Sequence, residues 1–299
     1  MSPDQRTGCA QPLVSVIVPV YNHWTLIPRL LACLEAQTLP ESQFEVILVD
    51  NGSDWIPADL SLPGNACILV CKTPGSYAAR NAAIGQARGQ FLAFTDADCH
   101  PCPVWLEAGI ERLMCFPAGN TLIAGAVRMI AANPTRPTSS ELYDIALGIP
   151  QKLYVERGFG VTANLFVPKR LIELAGPFDA GRFSGGDAEF CRRATRLGAR
   201  LVYHETALVE HPARQHWSEL ASKARRIKGG QVCAGSLLKR LEWMVRTGIP
   251  PLHAWKRVIR SSGLSREQKL TVCLLQFRLW LVGLGEMIQL VLRLKKPQR

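Results

Sequence analysis

Thr95-Asp96-Ala97-Asp98-Cys99 sets two carboxylates one residue apart, directly after the apolar run Phe91-Leu92-Ala93-Phe94. On an extended backbone residues i and i+2 share a face, so Asp96 and Asp98 would converge on one divalent cation. Ligation by oxygen alone favours Mg²⁺ or Mn²⁺. A third carboxylate, Asp50, closes the apolar run before Asn51-Gly52-Ser53-Asp54. There it either accepts hydrogen bonds from a base or ribose or stabilises its own turn. A fourth, Asp187, follows Ser184-Gly185-Gly186 and opens a helical stretch. It is either a general base or a helix N-cap, and the helix dipole favours its ionised form.

The elements that must position these groups alternate. Val14 to Val20 and Phe44 to Val49 are almost wholly apolar, as strands covered on both faces are. Between them Leu26, Ile27, Leu30, Leu31 and Leu34 recur at helical spacing, which completes a βαβ unit. Cys67 to Cys71 and Phe91 to Thr95 read as further strands, Tyr77 to Ala87 and Val104 to Met114 as helices. This succession predicts an α/β fold built on a doubly wound, mainly parallel sheet. Ligands of such sheets bind at the carboxyl ends of strands, where the Asp96/Asp98 pair would sit. Leu122 to Met129 reads as another strand and Asn133 to Ser140 as a loop. A helix from Asp187 to Leu197 and short strands near Arg200 to Tyr203 and Ala207 to Glu210 follow. Beyond His211 the chain reads as helical and basic, so the predicted division is 1–212 and 213–299.

With 299 residues and 47% hydrophobic content the chain is large enough for one sizeable core with an appendage. Its ten cysteines form no regular framework and no secretory signal precedes them, which points to a reduced, cytoplasmic setting. Cys99 and Cys102 around His100, or Cys67 with Cys71, lack the spacing of a four-ligand zinc site and read as buried small hydrophobes. Charge is unevenly spread. Residues 1–190 carry 13 Lys+Arg against 18 Asp+Glu, whereas residues 191–299 carry 22 against 6. A basic third of this kind suits nucleic acid, an anionic membrane surface or polyphosphate ligands.

Between Lys269 and Lys295 the polar residues Thr271, Arg278, Glu286, Gln289 and Arg293 fall in a stripe roughly 80° wide at ~100° per residue, with Gln276 off it. A spanning helix would hold Arg278 and Glu286 near its middle at about 2.5–3.5 kcal/mol each. The preferred reading is a helix lying at the membrane interface, flanked by Arg257, Arg260, Arg293, Lys295, Lys296 and Arg299. Packing on protein is the alternative.

No glycine fingerprint follows the first strand, where Tyr21-Asn22-His23 stands, and no Gly-Lys-Ser/Thr occurs, so dinucleotide and P-loop readings fall away. The ordered set of Val14 to Asn22, Val49-Asp50-Asn51-Gly52-Ser53, Ala79-Arg80-Asn81, Phe94-Thr95-Asp96-Ala97-Asp98, Gly160 to Asn164, Gly176-Pro177-Phe178-Asp179 and Ser184 to Phe190 resembles the family 2 glycosyltransferases of GT-A fold. That resemblance covers roughly residues 13 to 212. It implies that Pro19, Tyr21, Asn22 and Asp50 line the base and ribose pocket and that Arg80 lies near the nucleotide. By the same likeness Asp98 is a metal ligand, Asp96 is both ligand and ribose neighbour, and His211 is a further ligand. Asp187 matches the catalytic base, although Gly186 stands where the family carries Glu. Glu189, Arg225 and Arg226 are candidate acceptor or phosphate contacts.

The implied activity is inverting, Mn²⁺- or Mg²⁺-dependent transfer of one sugar from a UDP-, GDP- or dTDP-sugar to a glycan or glycolipid hydroxyl. It would serve cell-surface polysaccharide synthesis on the cytoplasmic membrane face, with anionic lipid and no nucleic acid as partner. The Gln-x-x-Arg-Trp run of processive members is absent, which favours single addition. Competing readings are transfer to a polyprenyl phosphate, nucleotidyl transfer and a non-catalytic relative. A phosphate acceptor would leave Asp187 without a proton to take, and nucleotidyl transfer would need a basic anchor that Tyr21-Asn22-His23-Trp24 does not supply.

Overall fold

The computed structural model describes residues 11–116, 119–182, 184–233 and 236–296; Arg299, predicted to flank the last helix, lies outside them. The described elements run β1 (Val14–Val20), α1 (Ile27–Glu35), β2 (Phe44–Asp50), β3 (Ala66–Val70), α2 (Ser76–Gln86), β4 (Phe91–Thr95), β5 (His100–Pro101) and α3 (Trp105–Met114). There follow β6 (Thr121–Ile130), α4 (Ser139–Leu147), α5 (Gln151–Glu156), β7 (Asn164–Pro168), α6 (Lys169–Ala175), α7 (Gly186–Arg196) and β8 (Arg200–Pro212). The last four are α8 (Trp217–Cys233), α9 (Leu237–Gly248), α10 (Leu252–Arg260) and α11 (Arg266–Val291). The chain folds into two compact units. One holds the residues up to Val127 with Gln151–Gly181 and Asp187–Glu210; the other holds Arg128–Pro150, Arg182–Gly186 and the chain from His211.

Eight strands among the described residues line up as β3-β2-β1-β4-β7-β6-β8-β5. The first four run parallel, as their apolar sequences require of strands joined by crossover helices. β1 alternates between two cores: Val14, Val16, Val18 and Val20 pack with Leu30 and Leu34 of α1, while Ile17 faces Ala79 and Ala83 of α2. The carboxyl ends of β1, β2 and β4 come out on one edge, which sets the loops after Val20, Asp50 and Thr95 side by side.

β7 is an addition to the expected sheet, antiparallel to both β4 and β6. It was not expected from the sequence, where Leu165-Phe166-Val167 is a brief apolar run between a polar Asn164 and Pro168. Its first residue, Asn164, is fully buried and knits four elements together. The amide nitrogen donates to Ala126 O at 2.7 Å and Ala207 O at 2.8 Å, and the amide oxygen accepts from the Trp105 indole at 2.9 Å. A Cβ on Gly125 would overlap the Ala207 carbonyl and this amide, so only glycine fits there. The two short strands expected after residue 200 are one continuous β8; the polar Glu205 and Thr206 between them are exposed strand positions, not a break. Cys67, expected as a buried small hydrophobe, is exposed because β3 is the sheet edge, whereas Cys71 and Cys99 are buried.

In the second unit α11 presents two opposed faces. Val272, Leu275, Leu279, Gly283, Glu286 and Leu290 are buried. Leu270, Leu274, Phe277, Leu281 and Ile288 are exposed and, at ~100° per residue, form an apolar stripe roughly 60° wide on the opposite side. The polar stripe read from the sequence is therefore divided. Glu286 points inward to Lys295 and to Arg225 at 3.9 Å, Arg278 lies 4.3 Å over the Trp217 ring, and Arg293 stands beyond the helix end. α9 likewise exposes Leu237, Leu238, Leu241 and Val245 along one side.

Asn164→Ala should lower stability by about 3 kcal/mol, because it strands the Trp105 N–H and two strand carbonyls in the core. A urea-unfolding midpoint unchanged from wild type would contradict that role.

Candidate functional site

The loops after β1, β2 and β3 are locked together by side-chain amides. Asn22 follows β1 with φ of +56°, a left-handed conformation that asparagine tolerates better than most residues. Its backbone N–H donates to Ser53 Oγ at 2.9 Å, and its side chain exchanges hydrogen bonds with Asp54 at 2.8 and 2.9 Å. Asp50 is buried and already accepts from the Trp24 indole at 3.0 Å, from Gly52 N at 3.1 Å and from Ser53 N at 3.3 Å. Burial by itself pushes its carboxyl upward, but the bonds from Ser53, Trp24 and Gly52 outweigh that and hold it below the ordinary range. Asp50 is thus an anion that shapes its own turn at the end of β2. Asn51, which the sequence offered only as part of a motif, ties the next loop down through Cys71 O at 3.0 Å, Thr73 O at 2.7 Å and Gly75 N at 2.7 Å. Gly75, at φ of +120°, then starts α2.

Beyond β4 the backbone turns sooner than extended alternation assumed. Cys99 N donates to Asp96 O at 3.1 Å, so Asp96–Cys99 is a turn, and the turn, not a strand face, presents the two carboxylates. Both stay close to one buried thiol: burial first, then the charges of Asp98 and Asp96, push Cys99 well above its usual range. Asp96 and Asp98 are both partly exposed. Arg80 of α2 reaches Asp96 Oδ1 at 2.5 Å and is 97% buried itself. Its Nε is buried without a partner among the described residues, a donor left over for a ligand. Two accessible carboxylates with this spare guanidinium donor fit a divalent cation carrying phosphate oxygens.

Three residues before Arg80 on the same helix, Tyr77 donates from its hydroxyl to Asp187 Oδ1 at 3.2 Å. Ala188 N, in the first turn of α7, donates to the same oxygen at 2.8 Å. Surrounding protein desolvates Asp187 and raises its carboxyl above the ordinary value, against the Ala188 bond, the Arg80 charge and the Tyr77 bond. The helix dipole alone would have predicted the opposite direction. Tyr77 was missed from the sequence, although a tyrosine and an arginine three apart in the otherwise small-residue run Tyr77-Ala78-Ala79-Arg80 were its signal.

The remaining candidates are placed as follows. Pro19 is half-buried in β1 and Tyr21 is 45% exposed just past it. Glu189 makes a two-point ion pair with Arg193 at 2.9 and 3.1 Å, and Arg193 in turn caps carbonyls of Ala175, Gly176 and Pro177. His211, in the second unit, is buried at the end of β8 with Nδ1 2.9 Å from Pro212 O. Arg225 faces Glu286, and Arg226 makes no ion pair among the described residues.

A parallel sheet that delivers an Asp-x-Asp turn, a strand-end aspartate and a helix-borne carboxylate to one edge defines a sugar-transferring enzyme of the GT-A class. The profile of Glycosyl transferase family 2 matches residues 15–182, and the chain belongs to that family. It is 37% identical over 228 residues to glycosyltransferase AglE of Haloferax volcanii, covering 74% of this chain and 73% of that protein. A shorter match, 35% over 108 residues, covers 33% of this chain and 32% of the undecaprenyl-phosphate 4-deoxy-4-formamido-L-arabinose transferase of Pseudomonas aeruginosa. Among solved structures, the mannosyltransferase PcManGT of Pyrobaculum calidifontis, in complex with GDP-Man and Mn²⁺, superposes with a TM-score of 0.59 at 16% identity. The match covers 93% of this chain and 88% of that one, which shows a shared fold.

Tyr77→Phe removes a hydrogen bond that favours the ionised form of Asp187, so its carboxyl should rise further. The acidic limb of the turnover–pH profile should then move to higher pH, and an unmoved limb would disconnect Tyr77 from the base.

Proposed function

We propose that this glycosyltransferase moves one sugar from a nucleotide-sugar donor to a hydroxyl of a glycan or glycolipid, with inversion at the anomeric carbon. The observation that carries the reading is the chain Asp187–Tyr77–Arg80–Asp96, in which one turn of α2 links a desolvated carboxylate to the Asp-x-Asp turn. Loops fixed by Asn22, Asp50 and Asn51 receive the nucleoside, and Arg80 turns its unpartnered Nε toward the diphosphate. Asp96 and Asp98 would hold Mn²⁺ or Mg²⁺, which as a Lewis acid would neutralise charge on the departing diphosphate. The GDP-Man and Mn²⁺ of the Pyrobaculum enzyme support this choice of ligands.

Asp187 takes the proton of the attacking hydroxyl. Its raised pKa makes it a stronger base than an ordinary carboxylate, the direction that general-base catalysis requires. Tyr77 and Ala188 N hold Oδ1, and the Thr162 backbone also bonds the carboxylate, so the base is held in place by three partners. A phosphate acceptor would need no such base, which favours the hydroxyl over direct transfer to a polyprenyl phosphate. Asp187→Asn should leave donor binding by calorimetry intact and lower turnover by about 10²- to 10⁴-fold. Asp98→Ala should instead abolish the dependence of donor binding on Mn²⁺. Near-normal turnover in the first variant, or unchanged cation dependence in the second, would refute the assigned roles.

The second unit docks on the cytoplasmic membrane face in this proposal. Residues 211–299 carry 18 Lys+Arg against 4 Asp+Glu, complementing anionic headgroups, while α11 and α9 expose stripes of leucine that water disfavours. At 1.5 Å per residue α11 is roughly 39 Å long, and it lies in the interface instead of crossing it, because Glu286 and its cations belong to the protein-facing side. Wild type should float with vesicles of phosphatidylcholine and phosphatidylglycerol, and Leu274→Glu with Leu281→Glu should not. Equal flotation of the two proteins would refute the docking face.

A further inference from the structure

The segment 160–164, which leads into β7, is held at every residue. Gln151, the first residue of α5, is buried, and its side-chain amide pairs with the segment as a neighbouring strand would. The amide oxygen accepts from Val161 N at 3.0 Å, and the amide nitrogen donates to Val161 O at 3.3 Å and to Asn164 O at 2.9 Å. Both N–H groups and the oxygen of the amide are thereby in use. Cys191 of α7 holds the other end: its thiol accepts from Gly160 N at 3.4 Å and donates to Gly160 O at 3.6 Å. Burial pushes that thiol up to about 12, so it keeps its proton at neutral pH and below. A Cβ on Gly160 would stand 2.9 Å from Ala124 Cβ, so glycine lets the segment lie this close to β6.

Between these anchors lie the links to the site. Burial raises the Asp187 carboxyl, and the Thr162 backbone N–H, which bonds the carboxylate, pulls it back. Ala163 O accepts from Thr95 Oγ1 at 3.0 Å and from Cys99 Sγ at 3.9 Å, the two residues that bracket the Asp-x-Asp run. Asp187 and Cys191 stand at i and i+4 on α7 and share its face. One short segment therefore touches both the base and the turn after β4, and Gln151 and Cys191 act on them through the peptide groups they hold.

We propose that Gln151 and Cys191 are positioning residues for sugar transfer, fixing the segment 160–164 so that the Thr162 N–H meets Asp187 and the Ala163 carbonyl meets the end of β4. The inference rests on Asp187 as the base for the acceptor hydroxyl and adds a second tether beside Tyr77. Among the described residues the charged and titratable groups acting on Asp187 are Arg80 and Tyr77 of α2, with the Cys191 thiol on its own helix. The segment itself brings only peptide dipoles.

The test follows the ¹³C signal of the Asp187 carboxyl in the full chain carrying ¹³C at its aspartate carboxyls, the signal being identified by its loss in Asp187→Asn. Gln151→Met keeps the length of the side chain and removes its three bonds. It should raise the titration midpoint of that signal by about one pH unit, the size of one hydrogen bond to a charged group. The acidic limb of turnover should move to higher pH with it. Cys191→Ala should move the midpoint in the same direction, and it decides the matter alone if Gln151→Met does not fold. Leu113→Ala loosens the core on the other side of the sheet and should leave the midpoint in place, which separates positioning from general loss of stability. The proposal is overturned if either folded variant titrates as wild type does, or if Leu113→Ala shifts the midpoint as far as they do. If the midpoint moves in these variants while Asp187→Asn transfers sugar at the normal rate, the base assignment fails and the hold of Gln151 and Cys191 on the carboxylate stands.

Discussion

A single turn of α2 is the constraint on which the site depends. Arg80 and Tyr77 lie three residues apart, so their side chains leave the helix on one face, and each takes hold of a different carboxylate. Arg80 grips Asp96 at 2.5 Å and Tyr77 holds Asp187 at 3.2 Å. The Asp-x-Asp turn and the base are distant in sequence, yet their separation is set by one rigid element. α2 in turn owes its starting point to Gly75, and Gly75 to Asn51 at the end of β2. Behind the pair, Phe178 stacks on Tyr77 with ring centroids 5.7 Å apart and meets Phe94 edge to face at 5.3 Å, so the core buttresses the turn that does the positioning.

The electrostatics of the two carboxylate classes diverge for a physical reason. Asp50 gathers donors from its own loop until their bonds overcome burial, and its folded value falls; that contribution to stability is present above the unfolded value and is lost as pH falls through the folded one. Asp187 receives fewer donors than its burial demands, and its folded value rises. The protonated form then favours the folded chain, so this residue adds stability in acid and withdraws it as pH rises through its folded value. The fold tolerates a destabilising group at the place where a base is needed, while Asp50 beside it is bonded from its own loop.

Much of this was legible in the sequence because it rests on short-range pattern. Apolar runs gave β1, β2 and β4, the Ile27–Leu34 periodicity gave α1, and Asp50 and the Asp96/Asp98 pair stood where β2 and β4 end. What escaped depends on contacts between distant segments. β7 is a brief apolar run that is tied into the sheet through the three bonds of the Asn164 amide. The turn at Asp96–Cys99 is closed by a backbone bond that no side-chain pattern encodes. Composition alone gave the apolar length of α11, but which side faces protein was decided by Val272, Leu275 and Leu279 packing inward and by Glu286 finding Lys295.

The most direct measurement is a crystal structure of the Asp187→Asn enzyme with an unreacted nucleotide sugar and Mn²⁺, recorded at a wavelength where manganese scatters anomalously. The account predicts one anomalous peak bounded by the Asp96 and Asp98 carboxylates and the donor diphosphate, with residue 187 facing the anomeric carbon from the side opposite the leaving group. A peak away from those two aspartates, or a sugar whose anomeric carbon turns from residue 187, would contradict it.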